Sequence, residues 1–450
     1  MRITFRGGVH PIEHKDLSCE SALRLFDPKG EMVFPLSQHI GKPAKPVVQK
    51  GDAVLVGQTI AEADGYVSAS VISSCSGTVK AVEKRRLISG AMAECVVIDN
   101  DGQFTLAEGV GKETALSSLS EEDILSKIQK AGIVGLGGAG FPAHVKFKPK
   151  DPSAIKYVIA NGAECEPYLT CNDRLMREAP ETIVAGLLIV LRLFPNARGI
   201  IAIEKNKPEA IAAMKTAAGA TGIEVRPLRT KYPQGGEHNL IQTVTGIDYP
   251  VAKLPADVGC VVSNVGTLYA IERAVAHNEP LFTHVLTVSG DAVKNPSNFI
   301  VRDGTSFAEL IEACGGVKEG KTVEKVLSGG PMMGFAVGSL DVPVQKTTNG
   351  ILLRAVDKVA KAEARQTACL HCGRCTTVCP AGLIPQLMAD AAADGNLERY
   401  ENKLYGLECV ACGSCTYICP AKRPLTQTFK QVKAEIMAKK RAAQAAGGAK

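Results

Sequence analysis

CLHCGRCTTVCP, from Cys369 to Pro380, recurs near the end of the chain as CVACGSCTYICP, from Cys409 to Pro420. Both copies follow one pattern, C-x2-C-x2-C-x3-C-P, and together they hold eight of the fifteen cysteines. Thiolates at short, regular spacings are ligands for soft metals. The repeat therefore predicts two metal sites side by side, an arrangement suited to passing electrons.

The spacing also predicts which cysteines share a site. It is the spacing with which bacterial two-cluster ferredoxins bind 4Fe–4S clusters. The first three thiolates of a copy bind one cluster, and the fourth, which is followed by proline, reaches the other cluster. We expect Cys369, Cys372, Cys375 and Cys419 to hold one cluster, and Cys409, Cys412, Cys415 and Cys379 to hold the second.

Structural zinc and disulfide bonds are the alternatives for these cysteines. Zinc sites of four thiolates usually show two separated C-x2-C pairs, which leaves the third cysteine and the C-x3-C-P ending of each copy unexplained. Disulfides require an oxidising compartment, and the start MRITFRGGVH shows no charged and then apolar leader, so a reducing compartment is expected. The other seven cysteines lack ligand spacing and are expected to be small buried apolar residues: Cys19, Cys75, Cys95, Cys165, Cys171, Cys260 and Cys314.

Composition limits the function classes. With 450 residues and 45% hydrophobic content, the chain is expected to form about three or four domains. A net charge of +6 is mild, and 5% aromatic residues without tryptophan offer few stacking surfaces, so no nucleic acid is expected as a partner.

The apolar run IVAGLLIVL, from Ile183 to Leu191, is far shorter than the roughly 20 residues of a membrane helix and predicts a buried helix. The basic tail from Phe429 to Lys450 predicts a solvated helix end, with contact to anionic lipid or an acidic partner as the alternative.

Residues Lys45 to Arg86 alternate short Val, Ile and Thr runs with turn groups, which predicts a small all-β unit of tight hairpins. This segment resembles the barrel-sandwich domains related to biotinyl and lipoyl carriers. No lysine for a prosthetic group lies between Gly65 and Ser74, so carrier chemistry is not expected. The remaining candidate roles of this unit are docking, covering a face of the protein, or a purely structural role.

The segment SEEDILSKIQKAG predicts a helix, because Ser120 is a capping residue with Asp123 three positions later and Gly132 ends the apolar periodicity. Strands and helices alternate after it, which predicts an α/β sheet domain. The predicted strands are Ile155–Ala160, Gly199–Glu204 and Gly259–Asn264, and the predicted helices are Glu181–Phe194, Pro208–Gly219 and Leu268–Asn278. From His284 onward, short strands around the helix SFAELIEACG resemble the soluble-ligand-binding β-grasp domain.

A glycine-rich segment, GLGGAG from Gly135 to Gly140, matches the dinucleotide fingerprint G-x-G-x-x-G by letter. That fingerprint follows a strand, whereas here a predicted helix ends at Gly132. Pro142 belongs in the first turn of a following helix. We therefore expect a different loop, whose bare backbone amides approach a flavin phosphate or ring; a purely structural glycine turn is the alternative.

Four motifs carry a resemblance to known proteins: GLGGAGFPAHVKF, NGAECEP from Asn161 to Pro167, YPQGGEHNL from Tyr232 to Leu240, and SNVGTL from Ser263 to Leu268. With the β-grasp segment and the cluster ligands, they resemble the NADH-oxidising flavin subunit of respiratory complex I. The chain is more similar still to the C subunits of Rnf complexes, which are membrane-associated ferredoxin:NAD+ oxidoreductases. GGVHPIEHK from Gly7 to Lys15 and the two-cluster ending belong to that resemblance, which covers nearly the whole chain.

The resemblance implies an α/β multidomain fold. Its parts are a small all-β barrel-sandwich domain, an α/β domain like that of the complex I flavin subunit, a β-grasp domain, and a C-terminal α-helical two-cluster ferredoxin-like domain with a basic tail. In chain order, the implied bounds are residues 1–112, 113–280, 281–354 and 355–450.

The resemblance also implies bound FMN and a site for NAD(H), besides two 4Fe–4S clusters. One group of residues lines the FMN phosphate and ring, a second hydrogen-bonds the flavin, and a third faces the nicotinamide dinucleotide. The residues that line the FMN phosphate and ring are Gly135, Gly137, Gly138 and Lys146. The residues that hydrogen-bond the flavin are Asn161, Glu164 and Asn264. The residues that face the dinucleotide are Phe141, Glu166 and Glu237. The chain departs from the complex I pattern at Leu136, where an arginine is common, at Ala163, which replaces an aspartate, and at Gly236, which replaces the first of two adjacent glutamates. Flavin contacts are not carried over to those three positions.

The implied function is that of a peripheral subunit on the cytoplasmic face of the bacterial cell membrane, passing electrons between two clusters, FMN and NAD. Other subunits of the complex, including an iron–sulfur subunit, are the implied partners, and they alone provide the contact with the membrane. Two other functions remain as alternatives. One is the diaphorase subunit of a soluble NAD-linked hydrogenase or formate dehydrogenase, and the other is a scaffold subunit without cofactors.

Overall fold

The computed structural model describes residues 4–447, so residues 1–3 and 448–450 of the predicted first and last domains lie outside the described residues. The strands are β1 (Leu23–Phe26), β2 (Met32–Pro35), β3 (Lys45–Pro46), β4 (Ala53–Val54), β5 (Thr59–Glu62), β6 (Val71–Ile72), β7 (Gly77–Arg86), β8 (Met92–Asn100), β9 (Tyr157–Gly162), β10 (Arg198–Glu204), β11 (Glu224–Leu228), β12 (Cys260–Asn264), β13 (Thr283–Ser289), β14 (Ser297–Arg302), β15 (Lys325–Ser328), β16 (Phe335–Val337) and β17 (Gly350–Arg354). The helices are α1 (Glu121–Lys130), α2 (Ala143–Lys146), α3 (Cys171–Glu178), α4 (Pro180–Leu191), α5 (Pro208–Ala218), α6 (Glu237–Thr245), α7 (Val265–His277), α8 (Phe307–Ala313), α9 (Lys358–Glu363), α10 (Arg374–Val378), α11 (Pro385–Ala393), α12 (Ser414–Ile418) and α13 (Leu425–Gly447).

The chain forms two compact units. The first, called the sheet unit below, comprises residues 13–228 and 255–356. The second, called the cysteine unit, comprises the described parts of residues 1–12, 229–254 and 357–450. Each unit therefore draws on segments that are distant in the sequence.

A four-stranded parallel sheet, in the order β11-β10-β9-β12, lies at the centre of the sheet unit. The middle residues of its inner strands, 158–160 and 200–203, are apolar and buried, as expected for parallel strands covered by helices. Val158, Ile201 and Val261 pack with Leu187 of α4 and Ile271 of α7 in one core. The predicted α/β sheet and the buried helix in IVAGLLIVL are confirmed.

Side-chain caps mark the first residues of two helices in this unit. Ser120 and Asp123 form the expected capping box at α1. Helix α7 begins at Val265, before the predicted start at Leu268, because the Asn264 side chain accepts a hydrogen bond from the Gly266 N–H at 2.7 Å. Local side-chain caps supply partners for the first backbone N–H groups of a helix, which have none within it.

Sequence reasoning did not predict α3, α6 or β11. Helix α3 follows NGAECEP, a motif that the sequence links to a cofactor and not to a helix. Helix α6 begins within YPQGGEHNL, at Glu237. Strand β11 carries a proline, which is tolerated because β11 is at the edge of the sheet.

The all-β prediction for the N-terminal region is confirmed by two antiparallel sheets, β2-β8-β7-β4 and β3-β5-β6. Their shared core includes Phe34, Ile60 and Val96, which are fully buried. Strand β1 does not join them. It pairs in parallel with β14 and forms the edge of the six-stranded β-grasp sheet, β1-β14-β13-β17-β15-β16. The domain bounds implied by the resemblance stay a prediction.

The cysteine unit is helical, with the short helices α10 and α12 beside the cysteine loops and α11 packed against α13. Its core contains Met388, Tyr400 and Phe429, all almost completely buried. Helix α13 carries the part of the basic tail that the structure describes. Within residues 4–447, no helix is both long and apolar enough to cross a membrane.

Candidate functional site

Two cavities in the cysteine unit are lined by cysteines of the repeat. The first cluster cavity is lined by Cys369, Cys372, Cys375 and Cys419. The second cluster cavity is lined by Cys379, Cys409, Cys412 and Cys415. Each cavity thus combines three cysteines of one copy of the repeat with the fourth cysteine of the other copy. These are the two sets of four that the spacing predicts.

The local backbone around these cysteines has the same form in both copies. Gly373 and Gly413, at φ 71° and 84°, lie in the left-handed region just before α10 and α12, where glycine is favoured. The backbone N–H groups of His371 and Ala411 each lie 3.4 Å from the sulfur of the cysteine two positions earlier. Backbone N–H groups aimed at sulfur stabilise thiolate ligands. Four cysteines lining one cavity, with a backbone N–H beside one of their sulfurs, fit a 4Fe–4S cluster.

The two cavities differ in exposure. Cys372 of the first is exposed, whereas Cys412 of the second is buried. Burial raises the pKa of the Cys379 thiol to about 11 and that of Cys415 to about 12. These thiols are neutral at pH 7 in the absence of metal, so binding of a soft metal has to displace their protons.

Segments far from the C-terminus hold the cysteine loops in place. The Gly8 N–H donates to the Val378 carbonyl at 2.8 Å, next to Cys379. A β-carbon at Gly7 would lie only 2.6 Å from the Cys379 carbonyl oxygen. The Val251 N–H donates to the Glu408 carboxylate at 2.6 Å, next to Cys409. Sequence reasoning missed these supports, because no motif links residues so far apart.

In the sheet unit, the glycine segment forms a loop closed by its own backbone. The Gly135 N–H donates to the Phe141 carbonyl at 2.9 Å, and the Leu136 N–H donates to the Thr267 hydroxyl of α7 at 3.0 Å. A β-carbon at Gly137 would lie 2.7 Å from the Asn264 side-chain nitrogen, whereas one at Gly138 would meet no atom within 4 Å. The loop is thus anchored on one side and faces open space at Gly138.

Predicted flavin residues meet at one edge of the parallel sheet. Asn161 and Asn264 are opposite each other in the register of β9 and β12, close to the carboxyl ends of both strands. The Asn161 side chain accepts from the Ala163 N–H at 3.2 Å, and the Lys146 ammonium donates to the Val262 carbonyl at 3.0 Å. Ligands of parallel sheets bind beyond the carboxyl ends of the strands. Asparagine side chains, an ammonium group and an exposed glycine backbone at such an edge fit a phosphate-bearing cofactor such as FMN.

The two acidic residues of NGAECEP make different contacts. The Glu164 carboxylate accepts from the N–H groups of Asn172, at 2.7 Å, and Asp173, at 3.2 Å, in the first turn of α3. A carboxylate there is stabilised by the orphan amides and the helix dipole. The structure therefore gives Glu164 a capping role in addition to the flavin contact that the resemblance implies.

Glu166 reaches the loop between β15 and β16 of the same unit, called the β-grasp loop below. Its carboxylate accepts from the Met332 N–H at 3.0 Å and the Met333 N–H at 2.9 Å. A β-carbon at Gly330 would clash with that carboxylate, so only glycine allows this approach. Burial raises the pKa of Glu166 to about 7, although the two N–H donors and Lys15 act in the opposite direction.

Two lysines that sequence reasoning missed hold the NGAECEP loop. The Lys15 ammonium donates to the carbonyls of Glu164, Glu166 and Leu169, at 2.7, 2.9 and 2.5 Å. Burial lowers the pKa of Lys15. The fully buried Lys207 donates to the Ala163 carbonyl at 2.7 Å. GGVHPIEHK, which ends at Lys15, was a signal in the sequence, but nothing in its spacing indicates a contact across 149 positions.

The positions that depart from the complex I pattern have apolar or backbone roles. Leu136 and Ala163 are buried, at 7% and 0% exposed, and Leu136 packs in the main core of the sheet unit. Gly236 precedes α6, and a β-carbon there would lie 3.2 Å from the Asn239 side chain. Glu237, the first residue of α6, belongs to the cysteine unit, whereas the other nine predicted cofactor-binding residues belong to the sheet unit.

Family models match four consecutive segments of the chain. The RnfC barrel sandwich hybrid domain matches residues 3–103, and the Nuo51 FMN-binding domain matches residues 128–273. The SLBB domain matches residues 285–336, and the 4Fe-4S dicluster domain matches residues 361–420. The order of these segments is the order of domains that the resemblance implies.

Curated relatives cover almost the whole chain. The C subunit of the proton-translocating ferredoxin:NAD(+) oxidoreductase complex of Clostridium ljungdahlii is 43% identical over 432 residues, which are 96% of this chain and 94% of the relative. The C subunit of the Na(+)-translocating complex of Acetobacterium woodii is 43% identical over 440 residues, 97% of this chain and 98% of the relative. Among solved structures, a NAD+-reducing [NiFe]-hydrogenase in the H2-reduced state aligns with a TM-score of 0.49 and 20% identity, over 76% of this chain and 72% of that chain.

Proposed function

Because the chain belongs to the family of C subunits of Rnf complexes, the ion-translocating ferredoxin:NAD(+) oxidoreductases, we propose that it is the flavin and iron–sulfur subunit that exchanges electrons with NAD(H). It contains an FMN-binding domain and a 4Fe-4S dicluster domain in one polypeptide. NAD(H) exchanges a hydride, a 4Fe–4S cluster exchanges single electrons, and a flavin can do either. The combination therefore converts between two-electron and one-electron transfer.

The eight cysteines of the repeat would hold the two clusters. The observation that carries the proposal is the pair of cavities, each with three cysteines of one copy and the fourth of the other. That exchange of the fourth ligand is how two-cluster ferredoxins bind their clusters. It also brings the two sites close together, since each C-x3-C segment extends from one cavity to the other.

The sheet edge would hold the flavin. The exposed backbone of Gly138 leaves room for a cofactor to approach the loop, while Asn161, Asn264 and Lys146 supply polar groups beside it. Lys15 and Lys207 fix the loop that follows β9, which keeps the site rigid. We assign the remaining roles as the resemblance implies: Gly135 and Gly137 at the flavin, Glu164 at the flavin, and Phe141, Glu166 and Glu237 at the nicotinamide dinucleotide.

As a member of this family, the chain works in a complex with other proteins. We propose that an iron–sulfur subunit is its electron-transfer partner, that it lies peripherally on the cytoplasmic face of the membrane, and that partner subunits provide the contact with the membrane. In this proposal no nucleic acid takes part. The exposed cysteine at the first cluster cavity supports an outside electron partner, because electron transfer requires close approach to a cluster.

The two alternatives are less well supported. A scaffold without cofactors does not explain two cavities that are each lined by four cysteines. A hydrogenase or formate dehydrogenase diaphorase does not explain identity to an Rnf relative over 96% of the chain.

Anaerobic purification followed by cofactor analysis tests the proposal. We expect about eight iron and eight acid-labile sulfide per chain, as two 4Fe–4S clusters require, one noncovalent FMN, and NADH-dependent reduction of ferricyanide. Bound zinc without sulfide would overturn the cluster assignment, and absence of both iron and flavin would favour the scaffold. Copurification with membrane subunits, compared with copurification with a hydrogenase, separates the first function from the diaphorase.

A further inference from the structure

The internal repeat extends beyond the cysteines. Residues of the second copy are numbered 40 higher than their equivalents in the first copy. Cys415 thus corresponds to Cys375, and Thr416 corresponds to Thr376. Continued into the following helices, it relates Gln386 of α11 to Thr426 of α13. Gln386 lines the first cluster cavity, and Thr426 lines the second. Equivalent positions thus carry an amide in one cavity and a hydroxyl in the other.

In the first cavity, the end of the Gln386 side chain touches a ligand sulfur. Its amide oxygen, as placed, accepts from the Cys375 thiol at 3.2 Å and from the Thr376 hydroxyl at 2.9 Å. A cysteine bound to iron has no proton and can only accept a hydrogen bond. The side-chain amide satisfies both neighbours when its NH2 group faces them, since one N–H can donate to the sulfur and the other to the hydroxyl oxygen.

In the second cavity, the equivalent side chain lies farther from the ligand sulfur. The Thr426 hydroxyl lies 3.7 Å from the Cys415 sulfur and 2.8 Å from the Thr416 hydroxyl. The Thr416 hydroxyl oxygen also accepts from the Thr426 N–H at 2.8 Å. Either hydroxyl can donate in the contact between Thr426 and Thr416, but at 3.7 Å the Thr426 hydroxyl is farther from its ligand sulfur than the Gln386 amide is from the Cys375 sulfur.

We propose that Gln386 is a positioning residue that donates a hydrogen bond to the Cys375 sulfur and thereby raises the reduction potential of the cluster in the first cavity. Hydrogen bonds to ligand sulfurs stabilise the reduced cluster, which carries more negative charge, and so they raise its potential. This inference rests on the proposed cluster ligands.

Replacing Gln386 with methionine tests the inference, because methionine retains most of the side-chain length and removes both N–H donors. The measurement is an EPR-monitored redox titration of the anaerobically purified full chain, with iron and sulfide analysis of the same samples. We expect unchanged iron and sulfide, an unchanged midpoint for one cluster, and a more negative midpoint for the other. Loss of a charge-assisted hydrogen bond is expected to change the reduction equilibrium about tenfold, which is about 59 mV for a one-electron couple.

A second variant, Gln386→Thr, copies the residue of the other cavity and is expected to shift the same midpoint by less. Thr377→Val is the matched control, because its hydroxyl donates to the Arg374 carbonyl beside the same cavity and should leave both midpoints unchanged. Equal midpoints in wild type and Gln386→Met, with full iron content, would overturn the tuning role. Loss of the cluster in both Gln386 variants would make Gln386 an assembly residue and would also overturn it. A wild-type chain without two EPR-active clusters would contradict the ligand assignment instead.

Discussion

The Tyr232 hydroxyl donates a hydrogen bond of 2.7 Å to the backbone carbonyl of Cys412. Tyr232 is 2% exposed, and its backbone pairs with Val9 through two hydrogen bonds of 2.8 and 2.9 Å. The loop of the second cluster cavity is therefore hydrogen-bonded by Tyr232 of YPQGGEHNL, and the N-terminal segment in turn pairs with Tyr232. All three segments belong to the cysteine unit, so its stability depends on contacts between distant parts of the chain.

Replacement of Tyr232 with phenylalanine is expected to weaken the second cluster site. The change removes a buried hydroxyl and leaves the Cys412 carbonyl without that donor, which costs about 1 kcal/mol. We expect faster loss of cluster absorbance in the presence of an iron chelator, with normal cluster content at the start. Tyr405→Phe is the control, because Tyr405 is 65% exposed. Equal rates of cluster loss in both variants would show that the hydrogen bond does not support the site.

Replacement of Cys379 with alanine tests the exchange of fourth ligands. Cys379 follows the first three cysteines in the sequence, yet it lines the second cluster cavity. We expect Cys379→Ala to disrupt the cluster held by Cys412 and to leave roughly half of the iron. The residual low-temperature EPR spectrum should then match that of Cys412→Ala. A match to Cys372→Ala instead would mean that each copy of the repeat binds its own cluster.

The sequence predicted these cysteine sets because ligand spacing is a local property. The parallel sheet and α1 could likewise be predicted, since periodicity and capping residues act over a few positions. Contacts such as that between Lys15 and the Glu164 carbonyl could not, because they join residues 149 positions apart and depend on how the chain folds back. Strand β1 was missed for the same reason, since it pairs with β14 far along the chain, with Leu23 opposite Asn298.

Replacement of Gly138 with valine is expected to remove the flavin without unfolding the chain. A β-carbon at Gly138 meets no protein atom within 4 Å, so the fold tolerates it, but the added side chain would occupy the space in front of the loop. The purified variant should lack acid-releasable FMN and retain its cluster absorbance. Gly338→Val is the matched control, because Gly338 also faces open space and lies outside the loop. A full complement of FMN in Gly138→Val would show that the glycine loop is structural.

The raised pKa of Glu166 predicts a pH-dependent cost to stability. The pKa of its carboxyl group is about 7 in the folded chain against an ordinary value of 4.5. As pH rises from 4.5 to 7, the unfolded chain loses this proton first, so the wild type becomes less stable by no more than about 3 kcal/mol. A glutamine cannot ionise, so the melting temperature of Glu166→Gln minus that of wild type should increase between pH 5 and pH 8. Glu319→Gln provides a control, because it makes the same chemical change at an exposed position. A constant difference for Glu166→Gln would contradict the raised pKa.

The same substitution tests the nicotinamide site through substrate kinetics. The Glu166 carboxylate accepts two backbone N–H groups, which leaves about two of its lone-pair sites for ribose hydroxyls of a dinucleotide. A carboxylate in that position also repels the extra phosphate of NADPH. Glu166→Gln should therefore raise the KM for NADH about tenfold, reduce the preference for NADH over NADPH, and leave FMN bound.

The measurement is NADH and NADPH oxidation with ferricyanide as acceptor, at matched flavin content. Met333→Ala is the appropriate control, because it keeps the backbone N–H that Glu166 contacts and removes only a side chain that is 45% exposed. If both variants raise the KM equally, the effect comes from the β-grasp loop and not from the carboxylate. If the KM for NADH is unchanged in Glu166→Gln, Glu166 does not contact the dinucleotide, and its role is restricted to joining the NGAECEP loop to the β-grasp domain.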